Sequence, residues 1–115
     1  MNMEDALLGL LEYREVLGAV VTTTDGLVIA TAGVDGDDAE VAAAAGSALA
    51  KVLAHSQERE GQLAMRSGEI HLVMSDDLML VTLTERDVPA DRLRAVMQGA
   101  LEQVGRALQT SEQPA

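Results

Sequence analysis

The sequence predicts a three-layer α/β sandwich, a five-stranded antiparallel sheet covered by helices on both faces, in the order α-ββ-α-βββ-α. Three observations predict it. Five short β-rich segments are joined by tight turns within each group, which makes consecutive strands antiparallel. The segment Leu78-Met79-Leu80-Val81-Thr82-Leu83 is apolar at nearly every position, so both faces of the sheet need cover. The stretches 37–60 and 89–108 instead repeat apolar residues at helical spacing.

Residues 3–13 read as a short helix, with Met3, Ala6, Leu7, Leu10 and Leu11 on one face. Residues 16–24 are β-branched and apolar, and Asp25-Gly26 follows as a hairpin turn, since glycine tolerates positive φ. Residues 27–32 return. Gly33 to Gly36 form a turn, and Asp37 and Asp38 are expected to cap the second helix and supply its first-turn negative charge. Gly61 is the expected residue just past that helix. Strands are predicted at 62–66, 69–75 and 78–84, separated by Ser67-Gly68 and Asp76-Asp77. Pro89 opens the last helix, where its missing N–H costs little. Leu93, Val96, Met97, Ala100, Leu101, Val104 and Leu108 line one side of it. Helices one and three are expected on one sheet face and helix two on the other. A single domain spans 1–115, with its core at about 3–108 and a frayed tail over 109–115.

The second helix carries two stripes of apolar residues. One holds Val41, Ala44, Ala45, Ala48, Leu49, Val52 and Leu53; the other holds only small residues, Ala42, Ala43, Gly46, Ser47, Ala50 and Ala54. A surface helix ordinarily places charge on its second face. The small stripe is therefore expected to meet a second copy of the chain at close range. The expected homodimer interface comprises Ala43, Gly46, Ser47, Ala50 and Ala54, with Leu63 and Met65 of the third strand. Pairing that strand across a two-fold axis removes an exposed edge and joins ten strands into one sheet.

Composition excludes several function classes. A net charge of −11, one Lys and one aromatic residue, Tyr13, oppose nucleic-acid binding and base stacking. The same charge disfavours anionic membranes. There is no Cys, hence no disulfide or thiolate metal site. No apolar run approaches the ~20 residues of a membrane span. The opening Met-Asn-Met-Glu-Asp is acidic where a signal peptide is basic, so a cytoplasmic location is expected.

Chemistry-bearing motifs are sparse. No phosphate-binding G-x-x-x-x-G-K-[ST] loop, dinucleotide fingerprint or G-x-S-x-G elbow occurs. His55 and Glu58 lie three apart at the end of the second helix, but two ligands fall short of a metal site. His71 is expected to be a strand residue with a hydrogen-bonded ring. Asp35, Asp37, Asp38 and Glu40 lack calcium-loop spacing and read as helix-capping charge. Met65, Met74, Met79 and Met97 read as packing residues. No cofactor and no metal are expected.

The segment Leu-Gly-Ala-Val-Val-Thr-Thr-Thr-Asp-Gly-Leu-Val-Ile-Ala (17–30), the small-residue helix over 39–54 and the meander ending in Leu-Met-Leu-Val (78–81) resemble the roadblock/dynein light-chain family. The likeness covers about 3–108 and is greatest to the bacterial MglB-like type. It implies a profilin-like fold, dimerisation through the second helix and third strand, and regulation, including activation, of a Ras-like small GTPase. The residues expected to bind that GTPase are Lys51, His55, Gln57, Arg59 and Arg66, on or just after the second helix, a patch whose Lys and two Arg come from a basic set of only eight residues. In that type the GTPase's own residues are repositioned, without a supplied arginine. A dimeric scaffold or sensor-associated module that binds no GTPase is the alternative. A small-molecule sensor of the PAS kind lacks its aromatic lining here, and an enzyme lacks a convergent acid, base or nucleophile set. High Ala and Arg with scarce Lys suggest a GC-rich bacterial source.

Overall fold

A computed structural model describes residues 3–66 and 68–112. Ser67 of the expected Ser67-Gly68 turn and the end of the expected tail, 113–115, lie outside the described residues, as do the side chains of Met3, Thr110, Ser111 and Glu112. The elements are α1 (Met3–Leu8), a 3-10 segment (Gly9–Glu12), β1 (Val16–Thr23), β2 (Val28–Ala32), α2 (Gly36–Ala54), β3 (Glu60–Met65), β4 (Gly68–Met74), β5 (Leu78–Thr84) and α3 (Ala90–Glu112). The five strands form one antiparallel sheet in the order β2-β1-β5-β4-β3. This is the predicted profilin-like sandwich.

Alternation within the sheet sends side chains to two separate cores. Ala19, Val21, Val73, Leu78 and Leu80 meet Leu7 and Leu10 from the N-terminal helical segments and Leu93, Met97, Leu101 and Val104 from α3. Val20, Ile70, Leu72, Met79 and Val81 meet Ala39, Ala42 and Ala50 of α2. The central strand β5 therefore has bulky residues buried on both sides, as its continuous apolar run requires.

Several boundaries differ from the sequence reading. The first helix is split, turning 3-10 at Gly9, which tightens the chain before β1. The cap of α2 is Asp35, whose side chain accepts the Asp38 N–H at 3.1 Å; Asp37 and Asp38 lie in the first turn. The helix stops at Ala54, not near Glu60. Gln57 takes the left-handed conformation (φ 62°), and the Leu53 carbonyl accepts the N–H groups of Ser56 and Glu58. Gln57 thus does the work expected of Gly61. Gly61 belongs to β3, where an added Cβ would stand 2.9 Å from Leu53 Cδ1, so it allows the end of α2 to approach the edge strand. The last helix runs to Glu112, past the point where the sequence suggests fraying.

His71 is a fully buried strand residue, as expected, but its ring is not hydrogen-bonded to any described residue. It sits beside Thr82 on β5 and faces α3, with Nε2 4.0 Å from a Glu69 carboxylate oxygen. Burial lowers its pKa from the ordinary 6.5; Glu69 opposes that shift and Arg94 adds to it. Around it runs a polar seam beneath α3. Arg94 donates to Gln62 Oε1 at 3.1 Å, Gln98 donates to Glu60, and the Asp87 N–H donates to Glu69 at 3.0 Å.

Candidate interaction surface

The small stripe of α2 faces inward, contrary to the sequence expectation, and the other stripe is divided between core and solvent. Ala42, Ala43 and Ala50 are buried against the protomer's own sheet. Gly46 lies over Val81, and a Cβ there would stand 2.6 Å from Val81 Cγ2. Ser47 is half-buried beside the β1–β2 turn, 3.4 Å from the position of a Cβ on Gly26, and only Ala54 of the small stripe is exposed. The expected contact of Ala43, Gly46 and Ala50 with a second copy is therefore corrected: these residues are already covered. The physical reason is the sheet beneath. Val20, Met79 and Val81 project far enough toward α2 that only small residues fit between the helix backbone and the strands.

Four of the seven residues of the other stripe turn outward, while Ala45, Leu49 and Leu53 pack against the core. Val41 (59%) and Val52 (67%) are largely exposed, and Ala44 and Ala48 between them are exposed too. Ala45, Leu49 and Leu53, half-buried, flank this ridge. Leu63, on the edge strand β3, is 43% exposed, and Met65 is half-buried. By the alternation of β3, Gly61, Leu63 and Met65 project to the side of the sheet that carries α2. Val41, Ala44, Ala48 and Val52 are interface candidates that the sequence reading missed. The available signal was the bulk of β5 on both faces, which already demanded small residues opposite it.

All five expected GTPase-binding residues, Lys51, His55, Gln57, Arg59 and Arg66, are exposed. The fold brings Lys51, Gln57 and Arg59 together on one groove of about 660 Å³, with Glu58, Asp76, Thr24 and Met74. Arg59 is engaged there by Asp76 at 2.8 Å. A screened surface pair of this kind contributes little stability, about 0–1 kcal/mol, but it orients the guanidinium. Arg66 lies at the other end of β3, about 20 Å along the strand at its usual rise per residue. Its backbone carbonyl accepts from Arg86 at 3.0 Å. Within one protomer the expected basic patch is thus divided, and its main part also contains two carboxylates.

His55 and Glu58 follow the end of α2 and do not share a helix face. Among the described residues no three His, Asp or Glu side chains converge as a metal site, and no helix is long and apolar enough to cross a membrane.

Comparison with known proteins decides the family. The model of the Roadblock/LC7 domain matches residues 3–84, from α1 through β5. The chain belongs to the Roadblock/LC7 family. Two structures of Roadblock/LC7 domains from Streptomyces avermitilis are similar throughout. One has a TM-score of 0.80 and 22% identity, covering 95% of this chain and 99% of the other. The second has a TM-score of 0.74 and 28% identity, covering 90% and 98%. Myxococcus xanthus MglB shares the fold at a TM-score of 0.70 and 14% identity, with 94% and 95% covered. No curated protein matches the chain by sequence.

Proposed function

We propose that this Roadblock/LC7 protein is a homodimeric, non-enzymatic regulator of a Ras-like small GTPase. The observation that carries the assembly is the outward ridge Val41, Ala44, Ala48 and Val52 beside Leu63 of an unpaired edge strand. Two copies meeting antiparallel along α2 would bury Val41 of one protomer near Val52 of the other, and the same two-fold would pair the β3 edges. The fold shared with MglB, which is known in a tetrameric arrangement, supports self-association. The family resemblance supports the GTPase. Its surface would rest on the grooves holding Lys51, Gln57 and Arg59 from each protomer, with Arg66 contributing from the far end of β3.

The role of these residues is positional. The Arg59 guanidinium is oriented by Asp76 at a groove wall. Electrostatic complementarity to an acidic GTPase face would govern encounter and register. The test uses purified Ras-like small GTPases of the source organism, loaded with GTP or GDP. Native protein is expected to bind one nucleotide state and alter single-turnover hydrolysis. Arg59→Glu with Arg66→Glu should weaken association while leaving the rate at saturation nearly unchanged. A loss of about 10³-fold at saturation would assign a finger role instead. Absence of binding in both nucleotide states would replace the GTPase reading with that of a dimeric scaffold.

A further inference from the structure

Two features of the polar seam beneath α3 meet at one atom. Glu69 Oε1 accepts the Asp87 N–H at 3.0 Å and lies 4.0 Å from His71 Nε2. Glu69 and His71 are two residues apart on β4, so both project to the α3 side of the sheet. The His71 ring is wholly buried, and neither of its nitrogens has a hydrogen-bond partner among the described residues. Asp87 sits in the turn between β5 and α3 with φ 64°, a left-handed conformation that Asp adopts at a cost. The preceding residue, Arg86, donates through Nη2 to the Met65 carbonyl at 2.8 Å and the Arg66 carbonyl at 3.0 Å. This turn therefore ties the end of β3 to the start of α3, and a carboxylate within reach of a titratable ring holds its strained residue.

We propose that protonation of His71 opens this turn: the imidazolium draws Glu69 Oε1 onto Nε2, the Asp87 N–H loses its acceptor, and Arg86 loosens its hold on the end of β3. Closing 4.0 Å to a charge-assisted hydrogen bond takes about 1 Å of movement. Rotation of the Glu69 side chain supplies it, since the backbone there is fixed by pairing with Ala64 and Thr84. The turn is kept from following. On one side the Glu85 N–H is bonded to the Glu15 carbonyl at 3.0 Å, and on the other the Pro89 carbonyl accepts the Leu93 N–H at 3.3 Å. The charged groups on the α3 side of the sheet around the ring are Glu69 on its own strand, Glu60 on β3 and Arg94 on α3, with Asp87 in the turn. Glu60 is engaged by Gln98, and Arg94 by Gln62. Burial and Arg94 oppose the proton, and Glu69 favours it. The ring is therefore neutral and the turn closed above pH 6.5, and the turn opens as pH falls through the window below it. The switch stands on the fold of one protomer, so its failure and that of the proposed GTPase and dimer surfaces are distinguishable.

Proton–nitrogen NMR of the native chain, titrated from about pH 7.5 to pH 5, tests the switch. The His71 ring signals and the Asp87 amide are expected to shift with one shared midpoint below 6.5. Exchange of the Asp87 amide with solvent, corrected for its intrinsic pH dependence, should speed about tenfold or more. Amides of the central strands β1 and β5 should keep their protection. Glu69→Gln retains a side-chain oxygen for the Asp87 N–H but no charge to draw toward the ring, and His71→Asn has no proton to gain. In both variants the Asp87 amide should hold steady across the range. Thermal melting checks that each variant is folded, and either one alone carries the comparison. The proposal is overturned if the ring does not titrate in this range, or if it titrates while the Asp87 amide stays still. It is equally overturned if Asp87 loses protection to the same extent in a folded variant, or if all amides lose protection together, which would be global unfolding.

Discussion

Gly46→Ala tests the orientation of α2 with a single methyl group. In an exposed helix interior this exchange is stabilising by about 1 kcal/mol, because glycine has more backbone freedom to lose. Here the new Cβ would stand 2.6 Å from Val81 Cγ2, closer than carbon atoms pack. Val81 is fully buried and β-branched, so its methyl cannot swing aside without leaving its rotamer. Overpacking of this kind costs about 1–3 kcal/mol. The net expectation is a loss of roughly 0–2 kcal/mol where propensity alone predicts a gain. Val81→Ala removes the obstructing methyls and, alone, leaves a cavity costing about 2 kcal/mol. The decisive quantity is the coupling between the two. In the double variant the methyl introduced at position 46 enters the vacated space, so the double loss should be smaller than the sum by about 1 kcal/mol or more. Urea unfolding of the four proteins at one fixed concentration measures the cycle, since dissociation of the proposed dimer would make apparent stability concentration-dependent. A stabilised Gly46→Ala with additive double-variant behaviour would refute the placement of Gly46 over Val81. It would return the small stripe to the partner-facing role suggested by the sequence.

Other expectations follow from the same structure. Val41→Glu with Val52→Glu should leave a folded monomer by light scattering, because both side chains are exposed in the protomer and charge there would be buried only between copies. Asp35→Ala should cost about 0.5–2 kcal/mol in urea unfolding through loss of the α2 cap, and Asp35→Asn should retain most of it. Gly68→Ala should destabilise by about 1–3 kcal/mol, because its Cβ would run into the Thr84 carbonyl oxygen, a backbone atom fixed in β5. Burial holds the folded His71 pKa below the unfolded 6.5, so this contribution is complete above pH 6.5 and is lost as pH falls through the window below it. Between about pH 7.5 and pH 5.5, native protein should therefore lose stability on acidification, at no more than about 1.4 kcal/mol per pH unit from this residue. His71→Asn should flatten that dependence, measured as the difference in urea midpoints between the two pH values.

The legible part of this protein is what short-range chemistry dictates. Alternation, the Asp25-Gly26 hairpin and the doubly apolar Leu78–Leu83 run determined strand number, direction and the need for helices on two faces. Those features depend on neighbours in the chain and on whether a face is wet or dry. Helix ends were less legible, since Gln57 closes α2 by adopting a conformation usually left to glycine, while Gly61 serves packing instead. The candidate site was the least legible. Two apolar stripes on one helix give periodicity no way to choose the inner one, and side-chain size pointed to the wrong stripe. Only the assembled sheet, with Val20, Met79 and Val81 already filling the space beneath α2, decided that Ala42, Ala43, Gly46 and Ala50 face inward and Val41 and Val52 outward. Likewise the basic residues are named by sequence but grouped by space, with Lys51, Gln57 and Arg59 on one groove and Arg66 a strand length away. Sequence determined which surfaces need cover. Packing volume across the sheet decided which side of α2 was left exposed.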